Sequence, residues 1–246
     1  METNNILEEG LELAIEVPEF SNEDRHEHKK TLQIGDMAPN FTATTTLGSC
    51  ALSDFKGKWL CFFSHIADFT GTCTSEIISF NKAEEEFKKR NCCLLGLSGD
   101  SIHSHLAWIH NINNMTRMAI SFPLIADSCM EISKIYNMSN SRTMYLICPE
   151  GKIKAILTYP KEIGRNISEI LRLLDALQYT HNENLCTPAN WGLGMPGIMP
   201  APMCYHEVME RVKNPGELNC LDYYLCFKPT TNVSMPIMQD HYNCIM

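Results

Sequence analysis

Short apolar runs alternate with amphipathic segments through the middle of this 246-residue chain. The apolar runs end in turn residues, as buried strands do, and they lie at residues 59–63, 94–98, 122–126 and 144–147. Segments with apolar residues at helical spacing follow residue 73 and cover residues 101–112, 128–136 and 163–177. Asp100 is the expected N-cap of the helix that follows it. This order predicts an α/β protein with a mixed central sheet and helices on both faces.

One cysteine, Cys73, follows the first apolar strand and stands in the first turn of a predicted helix. Ile77, Phe80 and Phe87 define that helix, because they fall on one face at a spacing of about 3.6 residues. The free backbone N–H groups and the positive end of the helix dipole favour a thiolate at this position. Thr70 lies just upstream, where its hydroxyl reaches the sulfur or an incoming oxygen. The pattern therefore predicts a nucleophilic cysteine.

Composition divides the chain into four segments. Residues 31–180 carry the alternating strands and helices, and residues 1–30 form an acidic extension that we expect to be mobile. Prolines exclude a regular helix or central strand early in residues 181–229, which we expect to form an extended arm. Residues 230–246 match no pattern. Apolar residues of the arm that we expect to need a partner subunit are Trp191, Met195, Ile198, Met199 and Met203.

Charge and cysteine usage exclude several classes of protein. The net charge is −9, and residues 1–30 hold nine acids against three bases, which argues against a nucleic-acid partner. The 12 cysteines include no C-x-x-C pair, so a zinc site is not expected. Thiols inside strands, such as Cys61, Cys92, Cys93 and Cys148, predict inert buried side chains in a reducing compartment. The sequence shows no signal peptide or membrane span, so we expect a cytoplasmic protein.

Residues 64–76 resemble the peroxiredoxin active-site signature, P-x-x-x-T-x-x-C, at Thr70 and Cys73. Further matches lie in order along the chain, at residues 99–108, 122–127, 159–172 and 220–226. The resemblance covers residues 32–227 and points to the one-cysteine type and its archaeal two-cysteine relatives. It implies a thioredoxin-like fold and a thiol-dependent peroxidase that needs no metal or organic cofactor. The expected partners are a peroxide and a dithiol reductant such as thioredoxin.

The resemblance also implies roles for individual residues. It places Arg142 beside the Cys73 thiolate, where a guanidinium lowers the thiol pKa and polarises a peroxide oxygen. Supporting roles are expected for His65, Arg165 and Glu76; Arg165 is predicted to lie in a helix.

The last part of the arm resembles the C-x5-C element of the archaeal relatives. The resemblance implies that Cys226 of the partner subunit resolves the sulfenic acid, with Cys220 as an exchange partner. It further implies a homodimer, within a ring that is commonly a decamer.

Departures from the family pattern leave alternatives open. Ile66 replaces the signature proline, which predicts a softer loop and a slower peroxidase. Ile66 therefore leaves a redox sensor or chaperone-like assembly with low turnover as one alternative, and a one-cysteine peroxidase without a resolving step is another. Lys58 stands where some relatives have a lipase-like serine, so phospholipase activity is not expected. The three histidines of the helix at residues 101–112 do not share one face, so we expect no metal there; they are His103, His105 and His110.

Overall fold

The computed structural model describes residues 31–229, which form two sheets and five helices. The strands are β1 (Thr42–Thr45), β2 (Gly48–Ala51), β3 (Trp59–Ser64), β4 (Cys92–Ser98), β5 (Leu124–Ala126), β6 (Arg142–Ile147), β7 (Ile153–Tyr159), β8 (Gly197–Ile198), β9 (Asn219–Asp222) and β10 (Leu225–Lys228). The helices are α1 (Gly71–Lys89), α2 (Ile102–Thr116), α3 (Glu131–Ile135), α4 (Ile167–Glu183) and α5 (Tyr205–Lys213). A 3-10 turn covers Leu52–Phe55. The helices and strands predicted between residues 59 and 177 are all present, with shifted ends.

The central sheet has seven strands in the order β2-β1-β5-β4-β3-β6-β7. β3, β4 and β5 are parallel, whereas β1, β2, β6 and β7 join by antiparallel pairing. This mixed sheet confirms the predicted α/β architecture. At its centre Ser64 of β3 pairs with Leu97 of β4, so the loop after β3 opens at the carboxyl end of the parallel strands. Open α/β sheets place their ligand sites at this edge.

Successive residues of β3 face two separate hydrophobic clusters, because side chains alternate across a strand. Cys61 and Phe63 pack into the cluster that includes residues of α1, α2 and α4. Leu60 and Phe62 pack into the other, which includes Ile132 of α3. Helices therefore cover both faces of the sheet, as the sequence predicts. β3 is buried along its whole length, which explains its unbroken apolar run.

The N-terminus of α2 differs from the prediction. Ser101, not Asp100, is the N-cap, and its hydroxyl accepts a hydrogen bond from the Ser104 N–H at 3.2 Å. The Asp100 carboxylate points to the loop after β3 and accepts the backbone N–H of Asp68 at 2.9 Å. Asp100 therefore holds the loop rather than the helix.

The start of α4 corrects a second expectation. The helix begins at Ile167, and Asn166 is its N-cap, accepting the Glu169 N–H at 3.2 Å. Arg165 precedes the helix, so the prediction that it is helical is wrong. An asparagine side chain that caps a helix competes with the helical conformation upstream, which explains the later start.

The arm is more regular than its prolines suggest. β8, β10 and β9 form a second, antiparallel sheet, and α5 lies between β8 and β9 in the chain. The Trp191 ring lies 4.9 Å from that of Tyr179 on α4, and only 1% of Trp191 is exposed. The expectation that Trp191 needs a partner subunit is wrong, because its own chain covers it. Met203 remains 90% exposed.

Candidate active site

Cys73 lies in the first turn of α1, at the edge of the sheet where β3 and β4 end. Its relative exposure is 0% in this chain. Thr70 is the N-cap, and its carbonyl accepts the Thr74 N–H at 2.9 Å. The Thr70 hydroxyl donates to the Ala67 carbonyl at 2.8 Å, and the same hydroxyl is close enough to the Cys73 sulfur to lower the pKa of that thiol. The structure therefore brings together the threonine and the cysteine of the sequence motif.

Arg142 joins this pair from β6, which neighbours β3 in the sheet. Its Nη1 donates to the Cys73 sulfur at 3.3 Å. Its Nε and Nη2 both donate to the Lys161 carbonyl, at 2.9 and 2.8 Å. The guanidinium is thus fixed on one edge by a backbone oxygen and offers another nitrogen to the thiolate.

Glu76 links two arginines beneath the thiol. It lies one turn along α1 from Cys73 and accepts Arg142 Nη1 at 2.7 Å. Arg165 donates to the same carboxylate through Nε and Nη2, each at 2.9 Å, and through its backbone N–H at 2.8 Å. Burial opposes the charged carboxylate, but the hydrogen bonds and charge of Arg165 and Arg142 hold the pKa of Glu76 below its usual range. Glu76 therefore orients Arg142, and Arg165 completes the network.

Cys73 is biased towards the thiolate despite its burial. Burial raises the pKa of the thiol. Backbone hydrogen bonds from Ala67 and Ile66 and side-chain hydrogen bonds from Thr70 and Arg142 lower it by more than burial raises it, so the net pKa lies below the ordinary value. A thiolate can only accept hydrogen bonds, so donors from the loop and from β6 favour it. The arrangement can hold a nucleophilic sulfur and an anionic leaving oxygen in one buried place.

Ile66 contributes to this donor set through its backbone. A proline at this position has no N–H, whereas Ile66 supplies a hydrogen bond that lowers the pKa of Cys73. Its side chain also packs against the cluster that contains Cys73. The slower peroxidase expected from the sequence is thus opposed by an added donor.

His65 belongs to a second buried group beside the loop, with Asp68 and His105. His65 Nε2 lies 2.9 Å from Asp68 Oδ1, and His105 Nδ1 lies 3.0 and 2.8 Å from the two Asp68 oxygens. The potential ligand atoms of the three residues lie within 4.8 Å of one another. We assign them no metal, because the carboxylate stands between the rings at hydrogen-bond distance.

Sequence reasoning found His65 but missed the partners that it has in the fold. Asp68 lies between two motif residues and was not singled out, and His105 was considered only with the histidines of its own helix. His103 and His110 are exposed on α2 while His105 is buried, which agrees with the expectation that these three do not converge. A buried histidine within an otherwise apolar helix face was the available signal.

The remaining thiols of the core behave as inert side chains. Burial raises the pKa of Cys61 to about 12 and that of Cys92 well above its ordinary value. Burial also raises the pKa of Cys148. Cys92 and Cys93 face different clusters, as alternation along β4 predicts.

The C-x5-C pair of the arm is bonded to itself. Cys220 and Cys226 form a disulfide with an S–S distance of 2.03 Å, across directly paired residues of β9 and β10. The structure therefore does not join Cys226 to Cys73. Cys226 has a relative exposure of 0%.

Comparisons with known proteins show the family to which this chain belongs. The AhpC/TSA family model matches residues 34–156. Peroxiredoxin 2 of Caldanaerobacter subterraneus subsp. tengcongensis is 46% identical over 204 residues, which are 80% of this chain and 92% of that protein. A peroxiredoxin of Methanosarcina mazei is 42% identical, covering 80% of this chain and 98% of its own. The solved yeast mitochondrial 1-Cys peroxiredoxin has a TM-score of 0.73 and 35% identity, covering 81% of this chain and 100% of its own.

The chain belongs to the AhpC/TSA family and is a peroxiredoxin, a thiol-dependent peroxidase. Its fold is the thioredoxin-like fold of that family, as predicted. Within the described part of the chain, no helix has both the length and the apolar character needed to cross a bilayer.

Proposed function

We propose that Cys73 is the peroxidatic cysteine. Its thiolate attacks one oxygen of a hydroperoxide and the O–O bond breaks. Cys73 becomes a sulfenic acid, and the other oxygen leaves as water or an alcohol after taking a proton. The observation that carries the proposal is the buried sulfur 3.3 Å from Arg142 Nη1, with its pKa lowered by the surrounding donors.

Arg142 and Thr70 are proposed to position the peroxide. Both reach the sulfur, so an oxygen that approaches the sulfur meets the same donors. Negative charge moves from sulfur to the leaving oxygen during attack, and preorganised donors stabilise it there. Glu76 accepts a hydrogen bond from Arg142, and Arg165 donates to Glu76. Together they act by holding the Arg142 guanidinium in place.

Resolution by the arm is the second half of the proposal. The thiol of the partner subunit's Cys226 condenses with the Cys73 sulfenic acid, forming an intersubunit disulfide and water. Cys220 of the same arm then attacks the Cys226 sulfur of this mixed disulfide, which releases the Cys73 thiol and leaves the Cys220–Cys226 disulfide. The direct cross-strand pairing of the two cysteines supports this exchange. A dithiol such as thioredoxin then reduces the pair; the yeast 1-Cys relative is described as resolved through glutathione and thioredoxin systems.

The exchange requires a homodimer, which we propose to lie within a ring, commonly a decamer in the family. Exposed apolar residues of the arm support an interface between subunits; they are Leu193, Met203, Tyr205, Val212 and Leu221. Light scattering of the reduced full-length protein checks the assembly. A monomer at micromolar concentration would exclude resolution by a partner subunit.

One experiment separates the two-cysteine cycle from the one-cysteine alternative. Non-reducing gels follow wild type, Cys226→Ser and Cys220→Ser after one equivalent of hydrogen peroxide, with mass spectrometry of the linked peptides. The two-cysteine cycle predicts a Cys73–Cys226 dimer that accumulates in Cys220→Ser and is absent in Cys226→Ser. Wild-type peroxidase turnover with dithiothreitol but no dimer in any variant would support the one-cysteine cycle. Negligible turnover with excess dithiothreitol would instead support the sensor alternative.

A further inference from the structure

His105 is a buried ring whose two nitrogens both face acceptors. Its Nδ1 lies 2.8 and 3.0 Å from the oxygens of Asp68, and its Nε2 lies 3.1 Å from the Ile125 carbonyl. Its relative exposure is 0%, so water does not replace either partner. A neutral imidazole has one N–H and one lone pair. One of its nitrogens would therefore set a lone pair against an acceptor oxygen, which is costly inside a protein.

The alternative, a proton on Asp68, is disfavoured because a carboxyl group ordinarily gives up its proton at a lower pH than an imidazolium does. Burial raises the pKa of Asp68, but the hydrogen bonds of His105 and His65, the charge of His105 and the hydrogen bond of Ser104 outweigh it and hold the pKa well below its usual range. Asp68 is therefore ionised and accepts from every side chain around it. The proton that satisfies the geometry belongs to His105.

His65 shows the opposite pattern on the same carboxylate. Its Nε2 lies 2.9 Å from Asp68 Oδ1, but its Nδ1 is buried and has no hydrogen-bond partner among the described residues. Burial lowers the pKa of His65, so the ring is neutral, with its one proton on Nε2. Asp100, beside the same group, accepts the backbone N–H of Asp68 at 2.9 Å. One cation, on His105, balances the Asp68 carboxylate.

Asp68 connects this ion pair to the thiol. It lies in the loop that supplies the Ile66 and Ala67 backbone donors and the Thr70 hydroxyl to Cys73. Its backbone N–H donates to Asp100 at 2.9 Å, and its side chain is held by His105 from α2. The loop is therefore fastened to α2 and to the end of β4 through one residue.

We propose that His105 is a positioning residue, which as a buried imidazolium holds Asp68 and thereby keeps the loop donors directed at the Cys73 sulfur. The proposal rests on Cys73 as the peroxidatic cysteine, but the charge on His105 is measured independently of that role. The hydrogen bonds of His105 reach Asp68 and the Ile125 carbonyl and do not include the Cys73 sulfur. It acts through Asp68 alone.

The first test measures the charge in the wild-type protein. Reduced protein labelled with ¹⁵N at histidine gives long-range ¹H–¹⁵N spectra at neutral pH, and loss of signals in His105→Gln provides the assignment. We expect His105 to show two protonated nitrogens and His65 one protonated and one bare nitrogen. A bare nitrogen on His105 would overturn the proposal. This readout is taken on the wild-type protein and does not depend on whether Cys73 reacts with peroxide.

The second test asks whether the charge reaches the thiol. His105→Gln is compared with His103→Gln, a change on the exposed face of the same helix. Alkylation of Cys73, followed by peptide mass spectrometry across pH, gives its pKa in each. A rise of one pKa unit lowers the thiolate fraction by about tenfold at a pH below the pKa, and we expect a loss of about that size in His105→Gln only. An unchanged Cys73 profile in folded His105→Gln would refute the positioning role.

A double-mutant cycle tests the route through Asp68. Asp68→Asn and His105→Gln are measured singly and together, with the Cys73 pKa as the readout. If His105 acts through Asp68, the second change adds little to the first. Full additivity would show that His105 influences the thiol by another route and would overturn this part of the inference. The second-order rate of reaction with peroxide, measured on the same variants at a pH below the Cys73 pKa, reports the proposed function separately: an altered Cys73 pKa with an unchanged rate would contradict Cys73 as the peroxidatic thiol.

Discussion

Two thiols of the same core cluster, Cys61 and Cys73, have opposite chemistry. Both have a relative exposure of 0%. Burial raises the pKa of Cys61 to about 12, and the distant charge of Arg165 only partly opposes it. At Cys73 burial acts in the same direction, but four donors reverse the net shift. Burial by itself therefore does not decide whether a cysteine of this protein is reactive.

The difference in pKa between the two thiols arises from which acceptors the neighbouring backbone N–H groups bind. Cys61 lies inside β3, which pairs with β4 on one side and β6 on the other, so the neighbouring N–H groups are consumed by the sheet. Its sulfur contacts the Met144 sulfur at 3.4 Å. Cys73 follows the point where β3 leaves the sheet, and the loop there directs the backbone hydrogen bonds of Ile66 and Ala67 to its sulfur instead of to a neighbouring strand. Chain path, rather than depth, separates the thiol whose pKa is raised from the thiol whose pKa is lowered.

The largest expected effect comes from replacing each of the two thiols, in separate variants, with a side chain that cannot form a thiolate. Cys73→Ser should abolish peroxide consumption, because a serine hydroxyl does not ionise near neutral pH and the attack requires the thiolate. Cys61→Ala should retain activity and lose stability only, since it deletes a buried atom. Peroxide consumption with excess dithiothreitol and circular dichroism measure the two properties. Residual activity in folded Cys73→Ser would move the reaction to another cysteine.

Removing the guanidinium beside Cys73 should shift the pKa of this thiol upward, towards that of Cys61. Arg142→Ala loses the Nη1 donor, so the pKa of Cys73 should rise and the peroxide rate should fall by roughly 10²–10³. Arg142→Lys is the matched control, because it keeps the charge but not the fork that also binds the Lys161 carbonyl, and should recover part of the loss. The pH profile of Cys73 alkylation measures the shift. An unmoved profile would remove Arg142 from the site.

Glu76→Gln tests the support beneath Arg142. The folded pKa of Glu76 lies below its unfolded value, so its ion pairs stabilise the fold above an unfolded pKa of about 4.3, and this contribution is lost as pH falls through the folded pKa. The variant should unfold more easily at neutral pH, and the difference from wild type should shrink in acid. Denaturant midpoints across pH measure this. A difference independent of pH would mean that charge is not what Glu76 contributes.

The smallest expected effect concerns the departure from the family motif. Ile66→Pro removes one backbone donor, so the pKa of Cys73 should rise by less than in Arg142→Ala. Ile66→Val keeps the N–H and controls for the side chain. Alkylation profiles of both variants provide the comparison. A Cys73 pKa that falls in the proline variant would show that loop rigidity outweighs the lost donor.

Local pattern accounts for the central part of the site. The apolar run of β3, the motif threonine and the helical spacing after Cys73 lie within one short segment, and each element forms from its own residues and capping groups. The strand entry at Arg142 and its place beside the thiolate followed from the family resemblance, since the two residues are 69 positions apart.

Other features depended on contacts between distant segments. Arg165 meets Glu76 across 89 positions, and His105 meets Asp68 across 37, through pairings that no local periodicity encodes. Trp191 was assigned to a partner subunit because its own segment has no core, yet α4 of the same chain buries it. The sequence by itself determined the elements and the place of Cys73 in the first turn of a helix after a buried strand, because these depend on neighbours along the chain. Only the tertiary structure decided which donors surround the sulfur, because charge and burial depend on neighbours in space.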